Sequence, residues 1–480
     1  MASNEAWKKK WLNFTEQNAR RYALYASLSG LFFSVISGSK FGAFLEHQIS
    51  RPLEYQTRHR LKRDPRVDDR LAIYGLGDSA IAYLKSEDLE IGEWSGVLQN
   101  FAKRGASSVL VNRIFALPKG PGIEQLQKLQ GSRTRFVVGS FLAAEPISGR
   151  TPLSTDRVEF DPKHYAANEV PSFCSLQSGT LYGPDPQIAE VSQVGHLMYN
   201  GNFSLQAFIR MQGDKVLPLA PLLAFKDVQF DEEQLLVNGE HVPLFGSELL
   251  VNLPNPNAFY ERTYNLSGPV KRWRSGEKED AFADGTHVVV LPALYTGNAD
   301  MVESPFGTIP GGFLSAAVIN SVLTGQWLRR MPAGHLFVFA LCIPAFFTAT
   351  LLTGVRFWLS YLAINFSLVL LGLGLFSYAS VVVPWFPAMC CFSLTGASLF
   401  ALTSRDLAKT LRLTQDFLRD LSRAKSCRHC SPSAGSPWTP QKPKSQRFSS
   451  TSWGSPSPPN SFPQNKLLPI YAMRFRQSSE

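Results

Sequence analysis

The sequence predicts an α/β extracytoplasmic domain joined to an α-helical membrane region of four transmembrane helices, followed by a disordered C-terminal tail. Three observations lead to this fold class. Apart from His335, residues 335–404 carry one charged side chain, that of Arg356. From residue 71 onward, short apolar runs alternate with amphipathic helical patterns. After residue 424 the composition changes abruptly to Ser, Pro, Lys and Arg.

The first predicted crossing covers residues 22–44. Residues 1–21 are polar and contain the basic run Lys8-Lys9-Lys10, whereas residues 22–39 are uncharged. A helix needs about 20 apolar residues to cross a bilayer, and a basic flank before such a run is typical of a signal anchor. Cleavage after Ser37-Gly38-Ser39 and a soluble amphipathic helix remain open as alternatives.

Three further crossings are predicted within residues 335–404. Residues 336–354 supply one crossing before Arg356, and residues 357–404 are long enough for two that turn near residues 383–387 (VPWFP). The alternative is a set of buried core helices in a soluble enzyme. We favour membrane helices because uncharged runs of this length are rare in soluble cores.

Flanking charges predict the orientation. The positive-inside rule puts residues 1–21, Arg356 and Arg405 in the cytoplasm. Residues 45–334 then lie in the periplasm, and a multi-pass inner-membrane protein with both termini cytoplasmic results. A basic run between Arg58 and Arg70 on the outer side opposes this orientation, but three other flanks favour it.

Charge and cysteine distributions exclude two classes of protein. The formal net charge is +10, but residues 424–480 carry eight basic residues and one acid, which is +7 of that total. The rest of the chain is nearly neutral, so no basic face for nucleic acid is expected. Of six cysteines only Cys174 falls within residues 45–334, which excludes a disulfide-stapled extracellular scaffold.

The first part of residues 45–334 reads as alternating strands and helices. Asp78 or Ser79 is placed to begin the first helix, and Gly105 to end the second. The predicted strands are 71–77, 108–112 and 135–141, and the predicted helices are 79–85, 94–104 and 122–129. Such alternation implies a parallel sheet with right-handed crossovers.

The second part changes character. Residues 203–219 contain two strand-like runs around Gly213-Asp214-Lys215, which predicts a hairpin. Residues 249–253 and 287–291 (HVVVL) are predicted strands, and residues 312–325 a helix leading to the membrane.

Few residues in this region have the chemistry of a site. Asp78 lies at the carboxyl end of a predicted strand, where α/β sheets place ligand groups, but it could equally cap the next helix. Asp300 and Glu303 share a predicted loop, as ligands for a cation or polar molecule or as hydrogen-bonded loop acids. His196 and His287 lack partners at metal spacing. No catalytic motif, metal site or cofactor is therefore expected.

Three segments resemble one family of sensory domains. They are GHLMYNGN (195–202), LLVNLPNP (249–256) and THVVVLPALYTGNADMVESPFGTIPGGFLSAAVINSVLTG (286–325). With the order of elements, they make residues 53–403 resemble the second CHASE class, the extracellular domains of bacterial receptor cyclases and histidine kinases. That family has one crossing before the sensor and three after it.

The most specific part of the resemblance is Asp300 followed by Ser304-Pro305-Phe306-Gly307 and Pro310-Gly311. Asn252 matches the Asn of a family strand, and Gly195 the glycine before a hairpin. The resemblance thus adds Asn252 to Asp78, Asp300 and Glu303 as candidate ligand-binding residues.

The chain departs from the family at four places. Gly77-Asp78 replaces paired acids, and Glu93-Trp94-Ser95-Gly96 replaces Trp-Pro-Trp-Pro-Arg. Asn112 stands where the family has Asp, and Ser315 where it has His. These replacements bear on whether the usual ligand site is kept.

Residues 405–423 predict a cytoplasmic relay helix. Five of its side chains follow the a/d spacing of a coiled-coil seam: Leu407, Leu411, Thr414, Leu418 and Leu421. Paired in a homodimer, two such helices would transmit a change across the membrane. The alternative is a basic helix lying on the lipid headgroups.

Residues 424–480 are predicted to be disordered, because their composition cannot bury enough apolar surface. A frameshift that replaced an output domain and a native basic tail held to anionic lipid are the two explanations of this tail. Cys427-Arg428-His429-Cys430 within it is a lone CxxC, which we interpret as coincidence.

These features together predict a membrane receptor without enzymatic activity. It would bind an unknown small-molecule or envelope signal, contact membrane lipid and pass its state to a separate cytoplasmic output protein by a shift of population. One alternative is a truncated or frameshifted receptor adenylate/guanylate cyclase or sensor kinase. A transporter or channel subunit is the other.

Overall fold

The computed structural model describes residues 2–116, 120–143, 145–147, 152, 175–176, 179–199, 204–210, 216–231, 234–245, 248–278, 280–297, 300–352 and 354–427. The chain divides into two compact units, residues 1–411 and residues 412–480. In the second unit the described residues are the end of one long helix.

The α-helices are α1 (Ala2–Gly38), α2 (Lys40–Leu45), α3 (Arg51–Arg60), α4 (Asp78–Leu84), α5 (Ile91–Lys103), α6 (Pro186–Val191), α7 (Pro256–Tyr260), α8 (Ser267–Ser275), α9 (Gly312–Thr324), α10 (Gly334–Ala340), α11 (Cys342–Leu351), α12 (Gly354–Ala379) and α13 (Trp385–Cys427). A π-helix, Glu46–Ser50, joins α2 to α3, and two 3₁₀ helices cover Ile123–Leu129 and Ala220–Ala224.

The strands are β1 (Leu71–Gly75), β2 (Ser108–Val111), β3 (Arg135–Ala143), β4 (Ser175–Leu176), β5 (Thr180–Tyr182), β6 (Gln193–His196), β7 (Ser204–Gln206), β8 (Phe208–Arg210), β9 (Val216–Pro218), β10 (Val228–Asp231), β11 (Gln234–Val237), β12 (Glu240–Val242), β13 (Leu244–Phe245), β14 (Glu248–Leu250), β15 (Thr263–Asn265), β16 (His287–Leu291), β17 (Met301–Ser304), β18 (Gly307–Pro310), β19 (Arg329–Arg330) and β20 (Val381–Val382).

The main sheet is parallel across β15, β1, β16, β2, β3 and β6, as the alternation of strands and helices predicts. The order of the strands follows from which residues pair. Val289 of β16 lies between Ile73 of β1 and Leu110 of β2, and Leu110 in turn pairs with Val137 of β3. β5 adds an antiparallel partner at the end of β3. The α/β class of this region is confirmed.

Both faces of the central strands are buried, which explains their nearly continuous apolar sequence. In β16, Val289 packs into one core with Ile73 and Phe313 of α9. Its neighbours Val288 and Val290 point to the other core, which contains Trp94 of α5. Side chains alternate between faces along a strand, so a single strand supplies both cores.

Helix α5 shows why local sequence was informative here. Glu90 and Glu93 form a capping box at its start. Arg104 ends the helix, and Gly105 follows with φ +87°, a left-handed conformation that glycine adopts without strain. The predicted stop at Gly105 is confirmed.

Several predicted elements differ in the structure. The helix expected at 122–129 is the 3₁₀ helix Ile123–Leu129, and the strand expected at 71–77 ends at Gly75. The strand expected at 249–253 ends at Leu250, because helix α3 binds the next carbonyls: Tyr55 donates to Val251 O (2.6 Å) and Arg58 to Leu253 O (3.0 Å). The loop expected around Asp300 and Glu303 is largely the β17–β18 hairpin, with Glu303 on a strand. Gly307 closes its two-residue turn with φ +100°.

The two strands of the hairpin predicted around residues 213–215 are present in the structure. β8 and β9 pair antiparallel, with Ile209 opposite Leu217. The turn residues 213–215 themselves lie outside the described residues.

Substitution Gly195→Ala is expected to lower the free energy of unfolding by about 2–3 kcal/mol, since extra volume in a packed core is poorly tolerated. An added Cβ would lie 2.5 Å from the Cα of Ala220, and backbone cannot move aside easily. Gly268→Ala is the control, because its Cβ would have only the Arg272 guanidinium at 3.8 Å nearby. Urea unfolding of both variants in detergent measures the difference, and equal stabilities would contradict this reading of the Gly195 contact.

The C-terminal half contains three helical segments long and apolar enough to span a membrane. They cover Gly334–Leu351, Gly354–Ala379 and Trp385–Asp416. Helices over Asn18–Gly38 and Phe41–Arg60 form a bent pair at 74° that passes the same test jointly. The three apolar helices predicted in residues 335–404 are therefore present, and they are consistent with a multi-pass membrane protein.

The N-terminal helix packs against the C-terminal ones. Tyr22 of α1 donates a hydrogen bond to the Asp406 carboxylate of α13 at 2.6 Å. Ser29 and Thr395 share a hydrogen bond of 2.6 Å between the same helices. Stacked rings of Phe357 and Phe400, 3.9 Å apart, join α12 to α13.

Candidate functional site

A cavity of about 600 Å³ lies where β2, β16 and β6 end. Asn112 and Arg113 follow β2, Ala293 and Tyr295 follow β16, and Leu197 follows β6. The carboxyl edge of parallel strands is the usual position of ligand sites in open α/β sheets. This cavity is the candidate ligand site.

A chain of hydrogen bonds organises one wall of the cavity. The Ser315 hydroxyl donates to Asn112 Oδ1 at 2.9 Å, and Asn112 Nδ2 donates to Asp300 Oδ2 at 3.2 Å. The Gly311 amide donates to the backbone oxygen of Asp300 at 2.9 Å. Asn112 and Ser315, two of the departures from the resembled family, are thus hydrogen-bonded to each other beside Asp300.

The Asp300 carboxyl group is confined although the residue as a whole is exposed. A Cβ at Gly311 would lie 2.6 Å from its Oδ1, so only glycine leaves room for the carboxylate. Partial burial raises the pKa of Asp300 above its ordinary value, while the Asn112 hydrogen bond acts in the opposite direction. The group is placed to interact with a ligand at the cavity mouth.

The remaining charges make the wall acidic. Both Arg113 Nη atoms pair with the Asp88 carboxylate, Nη2 at 2.7 Å. Glu87 and Asp300 add negative charge that Arg113 does not balance. The opposite lining is apolar and includes Leu205 and Leu314.

Asp78 lies outside the cavity lining and holds the loop at Thr296 through hydrogen bonds. Its carboxylate accepts hydrogen bonds from the Thr296 amide (2.9 Å) and hydroxyl (2.7 Å), which lower its pKa. Helix α4 has Gly77 as its N-cap, and Asp78 is its first residue. Asp78 therefore anchors the segment that carries Ala293 and Tyr295 into the cavity wall.

Asn252 is buried away from the cavity. Its Oδ1 accepts a hydrogen bond from Arg58 at 2.8 Å, and its Nδ2 donates to Gln326 O at 2.9 Å. Glu303 is exposed on β17. Of the four candidate ligand residues, the structure brings only Asp300 into the cavity lining.

Sequence reasoning named Asn112 and Ser315 only as departures from the resembled family, and it missed the Arg113–Asp88 pair. Asn112 is the last residue of a predicted strand and Arg113 follows it, which was the available signal. Ser315 comes from a helix about 200 residues later in the chain, so its place beside Asn112 depends on the fold.

The β17–β18 hairpin connects this cavity with helix α3. Val302 of β17 lines the cavity. At the tip of the hairpin, the Phe306 ring packs edge-on against Tyr55 and His59, with centroids 5.6 and 6.2 Å apart.

Helix α3 in turn contacts the apolar helices. The Tyr55 ring lies 5.0 Å from the Phe376 ring of α12, and the Arg58 guanidinium is 4.8 Å from both ring centroids. Trp385 Nε1, at the start of α13, donates to Glu54 Oε1 at 3.0 Å. The hairpin and helix α3 therefore connect the cavity with α12 and α13.

Three seam residues of the predicted relay helix are uncovered within the chain. Leu407 and Leu411 of the first unit and Leu418 of the second are each more than half exposed. The side chain of Leu421 lies outside the described residues, as do residues 428–480 and with them most of the CxxC.

Among the described residues there is no group of three or more His, Cys, Asp and Glu side chains placed to hold a metal ion. His196 is buried with Met198 N at 3.3 Å from its Nδ1, and His287 shares a 2.7 Å hydrogen bond with Ser108. Comparison with known proteins gave no match to the chain from any family model, curated protein or solved structure.

Proposed function

We propose that this protein is a multi-pass membrane receptor that binds a small polar ligand in the cavity and passes its state to the cytoplasm. The observation that carries the proposal is the β17–β18 hairpin. One end of it lines the cavity through Val302, and its tip packs on α3 through Phe306. A ligand that favours one position of the hairpin would shift α3 and the helices packed on it.

The proposed orientation is periplasmic for the α/β region and cytoplasmic for both termini. Counting the bent pair as one span gives up to four candidate spans by length and composition, which supports a proposal of four crossings of an inner membrane. The basic flanks at Lys8-Lys9-Lys10 and Arg405 support this orientation.

The cavity chemistry favours a ligand with a positive charge or several hydrogen-bond donors. Glu87 and Asp300 exceed the one arginine in the lining, and that arginine already pairs with Asp88. Carboxylates bind ammonium groups through charge-assisted hydrogen bonds, which are about twice as strong as neutral ones.

Output would pass through α13. The exposed seam of Leu407, Leu411 and Leu418 supports pairing of two chains, because the a/d leucines of a coiled coil are buried by a partner helix. A homodimer would then present this helix to a separate cytoplasmic output protein. The resemblance to the second CHASE class points to the same arrangement.

Substitution Asp300→Ala is expected to weaken ligand binding at least about tenfold, because a charged hydrogen bond contributes about 1.5–3 kcal/mol. The assay is the thermal shift of detergent-solubilised protein in a panel of amino acids and polyamines. Glu303→Ala removes the same charge three residues away on an exposed position and is the matched control. Equal shifts in wild type and Asp300→Ala would contradict this site.

Substitution Phe306→Ala should separate binding from transmission. We expect the thermal shift to persist, whereas ligand no longer changes disulfide crosslinking between single cysteines at Leu411 and Leu418 in a cysteine-free background. Met301→Ala, an exposed apolar side chain on the same hairpin, is the control. Crosslinking that still responds to ligand in Phe306→Ala, or no crosslinks between chains at all, would contradict the relay.

A further inference from the structure

A second concave surface lies where edge strand β15, helix α8 and residues 281–286 meet. Its volume is about 790 Å³, and its lining shares no residue with the cavity beside Asp300. We call it the arginine groove, because its lining includes Arg104, Arg262 and Arg272.

The lining of the groove contains more basic than acidic side chains. Against three guanidinium groups the lining contains one carboxylate, that of Asp69. Asp69 accepts a hydrogen bond from Arg262 at 3.0 Å and is otherwise largely exposed. An excess of positive charge in a concave surface concentrates anions there.

Arg104 is held in place by its neighbours. Its Nε donates to Asp280 O at 2.8 Å and its Nη1 to the Tyr74 hydroxyl at 3.1 Å. The guanidinium lies 3.7 Å from the centroid of the Phe282 ring. A fixed guanidinium loses little conformational entropy when it binds an anion.

The start of α8 adds further positive potential. Ser267 and Gly268, in its first turn, line the groove, and Asn265 Oδ1 accepts a hydrogen bond from the Ser267 amide at 2.8 Å. The N-terminus of a helix carries a partial positive charge that favours anions. The helix dipole and the arginines therefore act in the same direction.

Aromatic side chains line part of the groove, and the ring of Tyr264 is exposed there. The rings of Tyr74 and Tyr264 lie 5.3 Å apart, and 59% of Tyr264 is exposed. An exposed ring next to guanidinium groups can stack on a planar group of a ligand while the arginines bind its charge.

We propose that the arginine groove binds a small organic anion in which a phosphate or carboxylate is attached to a planar ring. The guanidinium groups of Arg104 and Arg272 bind the anionic oxygens, and Tyr264 stacks on the ring. This site is independent of the receptor function proposed above, because the two lining sets are disjoint.

Isothermal titration of the full chain in detergent tests the proposal with phenyl phosphate, inorganic phosphate and benzyl alcohol. We expect phenyl phosphate to bind, inorganic phosphate to bind about tenfold more weakly, and benzyl alcohol to give no heat of binding. Tyr264→Ala should reduce the affinity for phenyl phosphate to that for inorganic phosphate and leave the latter unchanged.

Arg272→Gln is the central variant, since Arg272 is exposed and its replacement leaves the core intact. It should weaken phenyl phosphate binding about tenfold, as loss of one charge-assisted hydrogen bond does. Lys271→Gln removes the same charge from the next position of α8, which is outside the lining, and should bind like wild type. Equal affinities of these two variants, or equal binding of benzyl alcohol and phenyl phosphate, would overturn the proposal.

The phosphate could belong to a soluble molecule or to a lipid headgroup. Titration in nanodiscs of phosphatidylcholine, with and without phosphatidylglycerol, separates the two sources. Weaker binding of phenyl phosphate with phosphatidylglycerol would indicate competition by a headgroup that has no planar ring and would overturn the proposed ring-bearing ligand, whereas equal binding would support a soluble anion.

Discussion

Substitution Arg51→Met is expected to lower the free energy of unfolding by about 3–5 kcal/mol, the cost of leaving a buried charge without its partner. Arg51 Nη1 donates to Glu54 Oε2 at 2.8 Å, and the Glu54 side chain is fully buried. Without Arg51, the Glu54 carboxylate keeps only the Trp385 hydrogen bond. Equilibrium unfolding in urea, with the protein in detergent, measures the loss.

Two further variants make this result specific. Glu54→Gln keeps a partner for Trp385 and leaves Arg51 3.7 Å from Glu46, so we expect a smaller loss of about 1–2 kcal/mol. The double variant should be close to Glu54→Gln alone, because its uncompensated charge has been removed.

The matched control is Arg66→Met. Arg66 and Asp69 form an ion pair at the same three-residue spacing, 3.2 Å apart, but both side chains are more than 70% exposed. Exposed pairs contribute at most about 1 kcal/mol. A loss in Arg66→Met as large as that in Arg51→Met would show that burial is not the cause.

The free energy of unfolding is expected to fall steeply as the pH drops below 6.5, because two buried histidines take up protons in this range only when the chain unfolds. Burial lowers the pKa of His196 to about 3 and, with the nearby Arg70, lowers that of His287 to about 4. In the unfolded chain the two histidines bind protons below their ordinary pKa of about 6.5, whereas in the folded chain they stay neutral until much lower pH. Each histidine therefore removes about 1.4 kcal/mol of stability per pH unit within this window.

Urea unfolding at pH values from 7 to 4 tests this expectation. His287→Gln should lose about half of the slope, since His196 continues to act, and the contribution of His287 ends near pH 4. The raised pKa of Asp300 works weakly in the opposite direction, because protonation of that carboxyl favours the folded state. His241→Gln, at an exposed position on β12, is the control, and an equal change of slope in both variants would contradict the assignment.

The two proposed sites in the α/β region differ in the charge of their linings. The cavity beside Asp300 is acidic, and the arginine groove is basic. Since their lining residues do not overlap, a cationic and an anionic ligand would bind separately, and the experiments on Asp300 and Arg272 can be read independently.

Local sequence was sufficient for several elements. The strand at His287–Leu291 has the predicted bounds, since its four consecutive apolar positions, Val288 to Leu291, are buried on both faces of the sheet. Helix α9 was one residue shorter than predicted, because Gly325 takes a left-handed conformation with φ +65°. The apolar helices followed from the uncharged runs, because the bilayer imposes a length that a sequence displays directly.

The residues that line the cavity were much harder to predict from the sequence. Asp300 was identified from its loop position, but Asp78 and Asn252 bond to Thr296 and Arg58 instead of lining the cavity. Both are polar residues next to strands, and the sequence pattern does not show which residue, close in space, forms hydrogen bonds with them.

What the sequence determined by itself was the set of elements: a parallel α/β region, apolar helices before and after it in the chain, and a leucine seam on the last helix. These depend on periodicity and length, which are local properties. Only the tertiary structure decided that β1 lies beside β16, about 200 residues later, and that Ser315 meets Asn112. It also placed Phe306 on Tyr55, because contacts between distant segments follow from packing of the whole core rather than from either segment alone.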